Sequence, residues 1–424
     1  MTQFMLIDPR TPNSKNSGWD HNKLIATWCY FLNAGTFQYK CFIYFQPHPL
    51  LPNNDDHKNG MTHPILFFAG SRVWCHSIYT KLWCNRAQVH FHIYIMDMIP
   101  GTKGKVCVTG ASGFIASWLV KRLLDSGYHV RGTVRDPGDY KKTSHLWELE
   151  GARERLQLVK ADLMEEGSFD EAIMGCKGVF HIASPVLRDH TDPKVGILDP
   201  AINGTLNVLR SCKKSQALKR VVLTSSSSTV RIKEDINPKV PLDETSWSSL
   251  ELCERLQLWY ALAKILAEKA AWEFARENNI DLVTVLPAFV IGPSLPHDLC
   301  LTASDVLGLL RGDNERFSLH GRMGYVHIDD VARCHILVYE DAKAHGRYLC
   351  SSPVLDNHEL AGIIAKRYPS LPIPKRFKNY YGKTPYYEFN TSKLQDLGFM
   401  FRGIEEMFDD CIRSLKEHGY HLDC

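Results

Sequence analysis

Residues 105–124 read KVCVTGASGFIASWLVKRLL, and this stretch decides the fold. Val106-Cys107-Val108-Thr109 is a short apolar run rich in β-branched residues, too short for a helix and suited to a buried strand. Gly110-Ala-Ser-Gly113-Phe-Ile-Ala116 follows as a glycine turn. Trp118, Leu119, Leu123 and Leu124 then recur at helical spacing. Strand, glycine turn and helix in that order build a dinucleotide site. Gly110 permits the tight turn, Gly113 lets backbone approach a pyrophosphate, and the small Ala116 lets helix pack closely on strand. Phosphates are held at a helix N-terminus because its N–H groups are free and its dipole favours negative charge.

Downstream, Gly127-Tyr128 makes a turn and residues 129–134 read as a second strand ending in Arg135-Asp136-Pro137. An acidic residue at this strand end holds the ribose 2′-hydroxyl of NAD, whereas an arginine accommodates the 2′-phosphate of NADP. Arg135 is therefore the expected NADP discriminator, with Lys141 and Lys142 as further cations, although Asp136 follows it directly. Residues 156–159 read as a third strand, leading to Asp162 and Leu163. In this fold class those two border the adenine. A small helix is expected over 168–173, then a fourth strand and its loop, GVFHIASP, over 178–185. Its Ala183 and Ser184 are expected on the nicotinamide side. His181 lies in an apolar strand, so a core role outweighs a ligand or base.

Residues 200–212 have helical character, and Arg220-Val-Val-Leu-Thr224 is another buried strand, ending in the run Ser225 to Ser228. The carboxyl end of a parallel strand is where open α/β sheets bind ligands. Then comes Trp259-Tyr260-Ala-Leu-Ala-Lys264, and the helix continues through Ala275. Tyr and Lys four apart share a helix face. A tyrosine ordinarily titrates near 10, and a neighbouring ammonium favours phenolate. Ser226 is suited to hydrogen-bond a substrate carbonyl, and Tyr260 to protonate it as hydride arrives: general acid catalysis with electrostatic help at the developing oxyanion.

Residues 280–286 read as a further strand, and the Pro- and Gly-rich 287–296 segment leaves the sheet for a smaller lobe. Residues 324–331, GYVHIDDV, read as a strand and then a helix capped by Asp329. His327 is a candidate substrate residue, with a structural role weighed against it. Residues 371–374 form an extended linker, and short helices are expected over 392–397 and 404–417.

Net charge is +3 in 424 residues, with no basic stripe, so no nucleic-acid partner is expected. The 13 cysteines lack CxxC pairs or Cys/His ligand spacing, which favours reduced thiols over disulfides and predicts no metal. Residues 1–98 differ from the rest. Glutamate is absent before Glu148, aromatics and histidines are dense, and neither period is sustained. No signal-peptide pattern is present. Residues 24–45 are apolar, but Asn33, Gln38, Tyr39 and Lys40 interrupt them, so no integral membrane span is expected. The segment is expected to be a disordered or non-functional extension. Translated non-coding sequence, with the natural start at Met96 or Met98, is the preferred account. Cys424 ends the chain, so no prenylation box is expected.

Gly-x-x-Gly-x-x-Ala after a strand, Ser226 at a later strand end and Tyr260-x-x-x-Lys264 resemble the extended short-chain dehydrogenase/reductases. VTGASGFIASWLVKRLL, TVRDPGD, KADLMEEGSFDEAI, GVFHIASPV, VVLTSSSSTVR and YALAKILAEKAAW resemble the plant dihydroflavonol reductase and cinnamoyl-CoA reductase group. LTSSSSTVRI, TASDVLGLLRG, GYVHIDDVARCHI and EEMFDDC are similar to its tetraketide α-pyrone reductases, which make sporopollenin precursors for the pollen exine. The likeness spans about Lys103 to Tyr420. It implies a catalytic triad of Ser226, Tyr260 and Lys264. It implies cofactor contacts from Gly110, Ser112, Gly113, Phe114, Ile115, Arg135, Lys142, Asp162, Leu163, Ala183, Ser184, Tyr260, Lys264 and Pro287, and substrate contacts from Arg231 and His327. Two departures bear on the relatives. Dihydroflavonol reductases carry Asn where Arg231 stands, and cinnamoyl-CoA reductases carry an NWYCYGK-type motif where this chain has QLWYALAK.

The expectation is an α/β Rossmann-type doubly wound parallel sheet over 103–286, binding NADPH/NADP, with 287–424 mainly a smaller α/β substrate lobe. The expected activity is reduction of a ketone on a small hydrophobic polyketide-type substrate. The expected setting is cytoplasmic, at the endoplasmic reticulum surface, beside other polyketide-pathway enzymes. A phenylpropanoid or flavonoid reductase stays open as a rival, as does a non-catalytic NADP-binding scaffold, because fold alone does not determine function.

Overall fold

The computed structural model describes residues 26–33, 36–43, 103–184, 192–378 and 385–422. The chain divides into two compact units, Met1–Met96 and Asp97–Cys424. In the first, β1 (Ala26–Asn33) and β2 (Thr36–Ile43) pair antiparallel, in register from Ala26 opposite Ile43 to Asn33 opposite Thr36. The stretch that shows no sustained period in the sequence thus contains two strands. Met96, Met98, Pro185 and Cys424 lie outside the described residues.

The second unit carries β3 (Lys105–Val108), β4 (His129–Val134), β5 (Leu156–Lys160), β6 (Gly178–His181) and β7 (Arg220–Thr224). β8 (Leu282–Pro287), β9 (Phe289–Ile291), β10 (Met323–His327), β11 (Gly346–Cys350) and β12 (Val354–Leu355) follow. The main sheet has seven strands in the order β11-β8-β7-β6-β3-β4-β5, and every pairing in it is parallel. The expected doubly wound parallel sheet is therefore present. The chain builds outward from β3 through β4 and β5, then returns to the other side through β6. The crevice at the carboxyl ends of β3 and β6 is the point where strand order reverses, the place where such sheets bind ligands.

Alternation within the strands explains why the sheet is covered on both faces. Val106, Val108, Phe180, Val222 and Val283 face one core, shared with the helices Phe114–Asp125 and Ile328–Glu340. Cys107, Val179, Val221, Leu223 and Leu282 face the other, shared with Asp199–Lys214 and Trp259–Glu277. In Phe114–Asp125, Ala116, Leu119, Val120, Leu123 and Leu124 are buried, a stripe at helical spacing. Gly127, at φ +85°, closes that helix where a side chain would be strained. Each fully buried leucine contributes about 1.5–3 kcal/mol relative to exposure.

One sequence expectation needs correction. The helix after β10 is capped by His327, whose Nδ1 accepts from Asp329 N at 3.0 Å. Asp329 lies inside the first turn instead, because it is bound sideways: Trp118 Nε1 donates to it at 2.9 Å, and Arg122 and Arg402 pair with it. Burial raises a carboxyl pKa, yet hydrogen bonds from Arg122 and Trp118 and the charges of Arg122 and Arg402 hold Asp329 at about 2. Part of the chain after residue 287 returns to the main sheet. Ile328–Glu340 packs against the main sheet, and β11 supplies its edge strand beside β8.

The smaller lobe holds the sheet β12-β10-β9. Leu301–Leu310, Asn357–Arg367 and Ile404–Glu417 enclose a separate core that includes Phe289, Phe317, Tyr325, Leu360, Met407 and Phe408. Among the described residues, no helix is long and apolar enough to cross a membrane.

Candidate active site

The glycine turn is fixed by backbone. Ala111 N donates to Thr133 O at 2.9 Å and Gly110 N to Thr133 Oγ1 at 3.2 Å, which ties the turn to β4. Gly110 has φ +67°, and a Cβ there would lie 3.1 Å from Ala183 Cβ and 3.2 Å from its Cα. Only glycine suits both the conformation and the approach. Thr109 Oγ1 accepts from Ile182 N and Ala183 N, each at 3.0 Å, and lies 3.0 Å from His181 Nδ1. Both lone pairs of that hydroxyl are used, so its proton goes to Nδ1 and His181 carries its own proton on Nε2. Burial, with Lys264's charge adding, lowers the His181 pKa to about 3. His181 is thus a neutral core histidine holding the loop after β6 to β3.

Gly113 is the N-cap of Phe114–Asp125 in extended backbone, with no side-chain cap and no acidic residue in the first turn. A Cβ on Gly113 would meet only Gly110 O, at 3.3 Å. Ser112, Phe114 and Ile115 around it are half-buried. An uncapped helix start behind a glycine turn is the environment an anionic pyrophosphate requires, so these residues fit a dinucleotide. Arg135 is exposed just beyond β4, and Lys141 and Lys142 are exposed on the first turn of Tyr140–Trp147. Asp136 Oδ1 accepts from Gly138 N at 2.9 Å, so that carboxylate closes its own turn. Lys142 Nζ pairs with Asp139 at 3.2 Å. Asp162 and Leu163 are half-buried beyond β5. Asp162 Oδ1 accepts from Met164 N at 2.9 Å, and the Leu163 carbonyl accepts from Asn207 Nδ2 at 2.8 Å.

On the other side of the crevice, Ala183, Ser184, Thr205, Thr224, Ser225, Lys264 and Glu268 are among the lining of a small cavity. Lys264 Nζ donates to Thr224 O at 3.4 Å, two residues before Ser226. Ser226 Oγ accepts from Ser228 N at 3.2 Å and from Ser228 Oγ at 3.0 Å. Tyr260 stands one turn before Lys264 and is 46% exposed. Pro287 ends β8, and its carbonyl accepts from Ser227 N at 2.9 Å, beside the serine run. Arg231 is half-buried at the end of Ser228–Arg231, with its charge felt at the buried Tyr387 hydroxyl, which donates to Arg322 O at 3.0 Å. His327 is buried, with Nε2 3.4 Å from Asp410 Oδ2, and serves as a helix cap. Among the described residues, no group of three or more His, Cys, Asp or Glu side chains is arranged to hold a metal ion.

Sequence reasoning missed two residues beside this cavity, Glu268 and Arg347. Both are buried, and they pair at 2.8 Å. The signal was a glutamate among alanines four residues beyond Lys264 on the helix face that carries Tyr260.

Comparison with known proteins agrees with this fold. The model of the NAD dependent epimerase/dehydratase family matches residues 106–350. The chain is 69% identical over 318 residues to tetraketide alpha-pyrone reductase 1 of Arabidopsis thaliana, covering 75% of this chain and 97% of that protein. The crystal structure of vestitone reductase from alfalfa (Medicago sativa L.) superposes with a TM-score of 0.65 at 37% identity, covering 75% of this chain and all (100%) of that one. A yeast methylglyoxal/isovaleraldehyde reductase complexed with NADPH superposes with a TM-score of 0.64 at 29% identity, again over 75% and 100%.

Proposed function

Since this chain belongs to the NAD dependent epimerase/dehydratase family, we propose that its site reduces a ketone with NADPH, acting on tetraketide α-pyrones to yield hydroxylated α-pyrones. The observation that supports the chemistry is the hydrogen bond from Lys264 Nζ to Thr224 O at 3.4 Å, between the helix that carries Tyr260 and Lys264 and the strand end that leads to Ser226. Gly110 and Gly113 leave room for the pyrophosphate, and Arg135, with Lys141 and Lys142 near it, meets the 2′-phosphate. Bound nicotinamide supplies the hydride. Ser226 Oγ hydrogen-bonds the substrate carbonyl oxygen, and Tyr260 donates the proton that oxygen needs as charge develops on it. Lys264 supplies a fixed positive charge one turn from Tyr260. Residues 103–286 carry the NADP site and, on the short helix after β7, Arg231, which reads the substrate; residues 287–424 build most of the substrate lobe.

The substrate class rests on the 69% identity to a protein named for tetraketide α-pyrone reduction. The same reading has the enzyme supply sporopollenin precursors for the pollen exine, working in the cytoplasm at the endoplasmic reticulum surface beside other polyketide enzymes. The test is NADPH oxidation with a panel of hydroxyalkyl α-pyrone ketones, dihydroflavonols and cinnamoyl-CoA esters. Preferential turnover of the pyrones is expected. A preference for either of the other classes overturns the substrate reading, and absence of turnover with every class favours a non-catalytic scaffold.

A further inference from the structure

Glu268 is a charged side chain in the interior, 1% exposed. Ser225 Oγ donates to Glu268 Oε2 at 2.6 Å. Thr284 Oγ1 donates to Oε1 at 3.1 Å, and Trp272 Nε1 to the same oxygen at 3.4 Å. Arg347, from the edge strand β11, donates through Nε at 2.8 Å and through a terminal nitrogen at 3.4 Å. That same arginine donates to Thr229 Oγ1 at 2.7 Å and to the carbonyls of Glu244 and Ser246 at 2.8 and 2.7 Å. Its guanidinium stacks 3.8 Å from the Trp247 ring centre.

The two ends of the serine run are therefore gripped by one ion pair. Ser225 binds the carboxylate, Thr229 binds the arginine, and Ser226 lies between them, its carbonyl accepting from Thr229 N at 3.0 Å and Thr229 Oγ1 at 2.9 Å. Glu268 sits two turns beyond Tyr260 and one beyond Lys264 on a single helix face. A buried ion pair is weak evidence for stability, since apolar replacements are often neutral, so its partners are the better guide to its role. We infer that Glu268 is a positioning residue: through Ser225 and Arg347 it holds Ser226 in register with the helix that carries Tyr260 and Lys264. This inference rests on the catalytic roles proposed above for Ser226 and Tyr260.

Glu268 itself is a poor variant, because its loss strands Arg347 in the interior. Ser225→Ala removes one hydrogen bond to Glu268 and no charge. Thr284→Ala removes the equivalent bond from β8, which does not carry the serine run. Full-length protein is assayed with NADPH and the panel ketone it reduces fastest, alongside Tyr260→Phe. Ser225→Ala is expected to lower kcat about tenfold, as small misplacements of reacting groups do. KM for NADPH should stay within about twofold. Thr284→Ala should lower the melting temperature by a similar amount and leave kcat within about twofold. Parallel loss of kcat and melting temperature in both variants makes Glu268 merely structural and overturns the inference, as does Ser225→Ala keeping more than half of kcat. If Tyr260→Phe keeps full turnover, the catalytic reading itself fails and takes the inference with it; if only Tyr260→Phe loses turnover, the inference alone falls.

Discussion

The two sides of the crevice at the carboxyl end of the sheet are built on opposite principles. The side after β3 is a surface of backbone: Gly110 at φ +67°, Gly113 as an uncapped N-cap, and hydrogen bonds to Thr133. It works by what is missing, since a Cβ at Gly110 would press on Ala183 at 3.1 Å. The side after β7 is a surface of side chains. Ser226 comes from the loop after β7 and Tyr260 and Lys264 from one helix, and Glu268 and Arg347 tie that helix to that loop. A site made of backbone fails when atoms are added. A site made of side chains fails when one donor is removed or displaced.

The largest effect should come from the side-chain half. Tyr260→Phe keeps the ring and removes the proton donor, so kcat should fall roughly 10²–10⁴-fold, the range a positioned acid contributes. NADPH affinity should barely change. Saturating steady-state kinetics with chemistry shown to be rate-limiting checks this, and retention of more than about half of kcat would sink the assignment.

The glycines separate folding from binding within the backbone half. Gly110→Ala incurs the left-handed penalty of about 1–2 kcal/mol and crowds Ala183, so both melting temperature and NADPH affinity should drop. Gly113 has φ −79°, which any residue adopts, and a Cβ there would meet only Gly110 O, at 3.3 Å. Gly113→Ala should therefore lower the melting temperature less than Gly110→Ala does and weaken NADPH by calorimetry. Equal stability losses in the two variants would erase the distinction.

Arg135→Asp is expected to weaken NADPH by about 2 kcal/mol, through loss of a charge-assisted phosphate contact and added repulsion. NADH should be much less affected. Equal losses for both cofactors would show that Arg135 does not read the 2′-phosphate.

The smallest effect is one of pH. Burial, and then the charge of His297, lowers the His145 pKa to about 4. Its ring nitrogens lack hydrogen-bond partners. The unfolded chain binds this proton near pH 6.5 and the folded chain only near 4, so the unfolded state gains protons first as pH falls. The stability contributed by neutral His145 is thus present above about pH 6.5 and lost progressively toward pH 4. Burial lowers His335 in the same way. Its Nδ1 lies 2.7 Å from the Val331 carbonyl, so Nδ1 holds the proton and Nε2 accepts from Thr224 Oγ1 at 2.7 Å. His145→Leu should flatten the acid limb of a stability–pH curve, by on the order of 1 kcal/mol at pH 5. An unchanged limb would place the acid sensitivity in the other buried histidines.

Much of the backbone half was legible in the chain itself. The β3–turn–helix unit, β4 over His129–Val134 and β7 over Arg220–Thr224 follow from periodicity, glycine placement and β-branched runs, which act between near neighbours. The Tyr260–Lys264 pair was legible for the same reason, since four residues on a helix make one face. The family emerged from those local motifs. Tertiary structure decided the rest. The sequence marks Gly346–Cys350 no more as the seventh strand than as a strand of the smaller lobe, because β-pairing depends on which edge is free. His327 displaced Asp329 as a cap because Trp118, Arg122 and Arg402, from distant elements, claimed the aspartate first. Glu268 found Arg347 across 79 residues of chain. Hydrophobic period and turn chemistry are properties of a local segment. The partner of a buried charge is chosen by the packed interior, where leaving it unpaired costs more than any local preference can offset.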